Sequence, residues 1–62
     1  KQELILLIIK KHAGIDVVRE HLEIRGETLR LKCGPVFRNE IFLKKDRIEN
    51  DFKNEKIYLK LN

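Results

Sequence analysis

The sequence predicts a mainly α domain closed by a C-terminal β-hairpin. An α+β arrangement, one N-terminal helix packed on a four-stranded antiparallel meander, stands as the alternative. Three observations carry the prediction. An unbroken apolar run, Leu4 to Ile9, ends in basic residues and a glycine; apolar residues then recur at intervals near four; after Asn39 the interval falls to two.

The first element is expected over Gln2 to His12. A continuous apolar run suits either a buried helix or a central strand, and the basic residues at its end with Gly14 just beyond favour a helix with a glycine stop. Leu4, Leu7 and Ile8 would form one face, flanked by Ile5 and Ile9. A helix this apolar needs cover on more than one side, which points to a homodimer or a larger parent protein joined through Leu4–Ile9. The run is far short of the roughly 20 apolar residues needed to cross a bilayer, so no membrane span is expected.

Asp16 reads as the N-cap of a second helix from Val17 to about Glu23, with Val18 and Leu22 four apart. A third helix would begin at Glu27 or Thr28, with Leu29, Cys33 and Val36 as its apolar stripe. Beyond Asn39, Ile41 and Leu43 alternate with Phe42 and Lys44, and Ile57, Leu59 and Leu61 alternate with Tyr58 and Lys60. With Asn50, Asp51 and Asn54 as a polar loop between them, these runs predict an antiparallel hairpin over 41–61. The alternative uses part of the same chain differently. Leu22 to Arg25 and Thr28 to Leu31 can pair around Gly26 in a two-residue turn, placing Ile24 opposite Leu29, Leu22 opposite Leu31 and Glu23 opposite Arg30.

At 62 residues the chain is a single small domain, free-standing or excised from a longer protein. Such a domain buries only about 60% of its unfolded surface and has little stability in reserve. The one cysteine, Cys33, cannot close an internal disulfide, and with His12 and His21 it falls short of a four-ligand zinc site. A lone thiol fits a reducing, cytoplasmic setting. There is no serine to act as nucleophile, the carboxylates stand singly among basic neighbours, and three glycines cannot assemble a phosphate-cradling loop. An enzyme, a metal site and a cofactor are therefore not expected. The net charge of +4 favours a polyanionic partner, although a charged fraction of 39% is also what a well-solvated surface carries.

The order of helix, short helix, turn, helix and hairpin resembles a winged helix-turn-helix domain. The similarity rests on Ile8-Ile9 to Gly14 closing the first helix, Val18, Leu22 and Ile24 around the turn, Thr28-Leu29 opening the third helix, and Lys56-Ile57-Tyr58-Leu59 in the last wing strand. It implies a double-stranded DNA ligand, a dimer, and a role as a transcriptional regulator or mobile-element accessory protein. On that reading residues 25–38 enter the major groove, with Arg25, Thr28, Arg30, Lys32 and Arg38 over bases and phosphates. Lys44, Lys45, Arg47 and Lys53 of the 41–61 hairpin would then reach the backbone. Two departures stand out: Arg19 and Glu23 occupy positions where the tight turn usually has small residues, and Gly34-Pro35 interrupts the third helix. Proline in a helix interior costs about 3 kcal/mol, which keeps the paired-strand alternative open. Tyr58, on the outer face of the last expected strand, could stack on a base in an RNA-binding sheet; a core or rim aromatic is its ordinary reading.

Overall fold

A computed structural model of the chain describes residues 2–62. The chain is α+β, with three helices and a three-stranded mixed sheet. In order these are α1 (Gln2–Ala13), a 3-10 turn (Arg19–His21), β1 (Leu22–Arg25), β2 (Thr28–Leu31), α2 (Pro35–Leu43), α3 (Lys45–Asn54) and β3 (Lys60–Leu61). β2 is central, paired antiparallel with β1 and parallel with β3.

The first helix ends as its residues dictate. Gly14 takes φ +71° and its N–H donates to the Lys10 carbonyl at 2.8 Å, the left-handed glycine stop. Ile5, Ile8 and Ile9, three and four apart, are buried in the domain's own core, with Leu4 and Leu6 packed against it. The run expected to face a partner is thus largely covered from within. Leu7, on the opposite side of α1, is left 64% exposed.

Residues 16–36 form neither of the two helices expected there. Asp16 caps nothing; it is exposed and pairs with Lys10 at 2.8 Å. The β-branched pair Val17-Val18 leads into one 3-10 turn, and the chain then folds back as β1 and β2. Their register joins Leu22 to Leu31, Glu23 to Arg30 and Ile24 to Leu29, as the paired-strand alternative requires. Gly26 supplies the positive φ of the turn, +58°. Strand alternation wins because it buries Leu22, Leu29 and Leu31 on one face, whereas a helical stripe through Leu29, Cys33 and Val36 would need Val36 inside. Val36 is 73% exposed.

The expected 41–61 hairpin is also replaced, by α2 and α3. Pro35 interrupts no helix; it occupies the first turn of α2, where its missing N–H has no bond to make, after Gly34 in extended conformation. Ile41, Ile48 and Phe52 are spaced seven and four apart, a helical stripe, and all three are fully buried. Leu43, which alternation would place beside Ile41, is 75% exposed. Asn50, Asp51 and Asn54 are the polar side of α3, not a loop. Of the strand expected at the end only Lys60–Leu61 pairs, and it lies parallel to β2.

All three helices lie against one face of the sheet. Its inward side chains, Leu22, Leu29, Leu31 and Leu61, meet Ile5, Ile8, Ile9, Ile41, Ile48 and Phe52 in one cluster. Cys33 is half-buried at its margin as a free thiol. A polar tie crosses the helical layer: His12 Nε2–H donates to Asp51 Oδ2 at 2.9 Å, with Lys11 Nζ at 3.4 Å from the same oxygen. The imidazole bond, aided by the Lys11 charge and opposed by desolvation, holds the Asp51 carboxyl below its ordinary range. A depressed carboxylate contributes stability that is complete above its unfolded-state pKa, near 4, and is lost as pH falls through the folded value. Asp51→Asn should therefore lower Tm at neutral pH, and its Tm should converge with that of the parent protein under strongly acidic conditions; thermal melts across pH check this.

Candidate nucleic-acid interface

The face of the sheet away from the helices is uncovered. Because strand residues alternate, burying Leu22, Leu29, Leu31 and Leu61 sends Glu23, Arg25, Thr28, Arg30, Lys32 and Lys60 outward. Thr28 lies opposite Arg25 on one side and Lys60 on the other. Arg30 occupies the middle strand, and Lys32 continues it, its N–H donating to the His21 carbonyl at 2.8 Å. Four cations, Arg25, Arg30, Lys32 and Lys60, thus share the face with one carboxylate. Glu23 Oε2 accepts from Arg25 at 3.1 Å, and Glu23 Oε1 lies 4.0 Å from Arg30. These are surface ion pairs of about 0–1 kcal/mol, so an incoming phosphate competes for both guanidinium groups at little cost. Lys32 and Lys60 have no ion-pair partner among the described residues.

The basic residues singled out from the sequence divide into two groups. Arg25, Thr28, Arg30 and Lys32 come together, on strands instead of a helix. Lys53 joins their edge: it lies on the exposed side of α3 and shares a cleft of about 190 Å3 with Glu27, Glu49, Tyr58, Leu59 and Lys60. Arg38, Lys44, Lys45 and Arg47 belong to the helical layer and not to this face. The Arg38 guanidinium sits 4.7 Å from the Phe42 ring centre, a local cation–π contact. Lys44 is the joint between α2 and α3.

Lys60 was not among the expected cations. The alternation Ile57, Leu59, Leu61 does send it outward, but only the parallel pairing with β2 brings it beside Thr28. The edge of β3 is closed by α3: Glu49 Oε2 accepts from the Leu61 N–H at 2.9 Å, occupying a backbone donor that would otherwise face open water.

The turn from α3 to β3 carries the chain's one non-glycine residue at positive φ among those described, Lys56 at +59°. Its N–H donates to the Lys53 carbonyl at 2.9 Å and the Ile57 N–H to the Phe52 carbonyl at 2.7 Å. These two bonds make a Schellman stop, with Ile57 and Phe52 both buried beneath it. Glycine is the usual residue there, and a side chain in this conformation costs about 1–2 kcal/mol. Lys56→Gly is therefore expected to raise stability by about 1 kcal/mol and Tm by about 4–8 °C, read from thermal unfolding.

Among the described residues no group of three or more His, Cys, Asp or Glu could hold a metal ion, and no helix is long and apolar enough to cross a membrane. No known protein family, characterised protein or solved structure matches this chain.

Proposed function

We propose that the domain is a non-catalytic nucleic-acid-binding module whose outer sheet face grips the phosphate backbone. The observation that carries this is the clustering of Arg25, Arg30, Lys32 and Lys60 on the one uncovered face of the sheet, with Thr28 between them as a hydroxyl donor. Arginine and lysine so placed neutralise phosphates and release counterions. A winged helix-turn-helix would present these cations on a groove-reading helix over 25–38; here a flat, basic strand surface takes that place. A regulator or mobile-element role further requires base reading, and the present cations support the backbone part of that expectation. Double-stranded DNA remains a ligand to be tested beside single strands.

The test is a fluorescence-anisotropy titration of labelled duplex and single strands at stepped salt concentration. With about four phosphate contacts, log K should fall with log salt at a slope of about −3 on single strands or about −4 on duplex. Absence of binding at low salt would sink the proposal.

A second reading, self-association, has one observation in its favour. Val36 and Leu43, seven apart on the outward side of α2, are both mostly exposed. A homodimer through this side would show as a mass that rises with concentration, and light scattering over a dilution series decides it.

A further inference from the structure

Tyr58 stands where a ligand base would meet the sheet. The residue is 68% exposed, whereas Ile57 before it is buried and Leu59 after it is half-buried. It lines two clefts, the one of about 190 Å3 shared with Lys53 and Lys60, and another of about 310 Å3 shared with Ile24, Gly26 and Lys56. The first volume lies below the 300–1,000 Å3 range of small-molecule pockets and the second only at its lower end. An open ledge with shallow hollows beside it suits a planar group laid against the ring better than an enclosed metabolite.

The segment bearing the ring is held at both ends. The Schellman stop fixes Ile57, and the Lys60 N–H donates to the Glu27 carbonyl at 2.8 Å. Lys53 and Lys60 line the smaller cleft with Tyr58 and Lys56 the larger, none with an ion-pair partner among the described residues. Lys56 holds its place at a strained φ that glycine would relieve, and residues kept in strained conformations concentrate at functional sites. Two carboxylates also line the smaller cleft. Glu49 is occupied by the Leu61 N–H, and Glu27 repels phosphate but accepts from the amino group of a base.

From these features we infer that Tyr58 is a stacking platform for an unpaired nucleobase, with Lys53, Lys56 and Lys60 holding the flanking phosphates. The ligand is then a single strand, because a base inside a duplex cannot present its face to the ring. The inference rests on the nucleic-acid reading above and adds the strand state and the stacking residue.

Tyr58 is the only tyrosine and the chain has no tryptophan, so its intrinsic emission reports this ring alone. A mixed-sequence single strand should quench that emission on binding, and an abasic strand of equal length and charge should bind without quenching it. Anisotropy should show the intact single strand bound more tightly than its duplex. Tyr58→Ala should weaken the intact strand by about ten-fold or more, the effect of losing one base–aromatic stack, leave the abasic strand unaffected, and be rescued by Tyr58→Phe. If duplex, abasic and intact strands bind alike and Tyr58→Ala changes nothing, the stacking inference is overturned while backbone binding stands. If none of the three binds at low salt, both are overturned.

Discussion

Phe52→Ala is expected to unfold roughly half or more of the domain at room temperature. Phe52 is fully buried on α3 in the cluster that holds Ile5, Ile9, Leu29, Ile41 and Ile48, so truncation removes the largest side chain at the meeting point of helices and sheet. Truncating a buried phenylalanine costs about 3–5 kcal/mol. A core of this size seldom supplies more than about 3–5 kcal/mol in total. The two ranges coincide, so net stability falls to about zero and roughly half or more of the molecules are unfolded. Its carbonyl also accepts the Ile57 bond of the Schellman stop, which ties the same residue to the segment bearing Tyr58. Leu43→Ala serves as the contrast: with its side chain mostly in solvent, it should shift stability by no more than about 0.5 kcal/mol. Circular dichroism during urea unfolding measures both.

The second large effect is on binding. Arg30→Gln combined with Lys32→Gln removes two cations from the middle strand of the basic face. On a single strand the salt slope should become shallower by about 1.4, two contacts at about 0.7 each. Affinity at low salt should drop at least about ten-fold, since charge-assisted contacts are worth about 1.5–3 kcal/mol apiece. Lys45→Gln with Arg47→Gln lowers the net charge by the same amount, from +4 to +2, but acts on the helical layer. That pair should leave the slope nearly unchanged. Equal losses from the two pairs would mean that net charge alone drives binding and that the sheet face has no special part.

Where local chemistry decides structure, the sequence is legible. Basic residues followed by Gly14 mark the end of α1, and cross-strand matching of apolar with apolar and Glu23 with Arg30 specifies the β1–β2 register. Legibility fails where two periods overlap. Ile41 and Leu43 imitate strand alternation, while the helical spacing of Ile41, Ile48 and Phe52 is spread over a stretch whose polar residues resemble a loop. Gly34-Pro35 is a helix start that reads as a helix break when the helix is drawn too early. The same holds for the site. The charge-biased window from Arg25 to Arg38 contains four of the face's outward residues, Arg25, Thr28, Arg30 and Lys32. Lys60 joins them only through a parallel pairing across more than thirty residues of chain, which local pattern does not announce.

The central claim, that the uncovered side of the sheet is the nucleic-acid interface, is tested most directly by a 15N–1H NMR titration with a short mixed-sequence single strand at low salt. The expected result is that amide shifts concentrate at Arg25, Thr28, Arg30, Lys32, Tyr58 and Lys60, while Val36, Leu43 and Arg47 stay put. Shifts confined to the helical layer, or none at all, would contradict it.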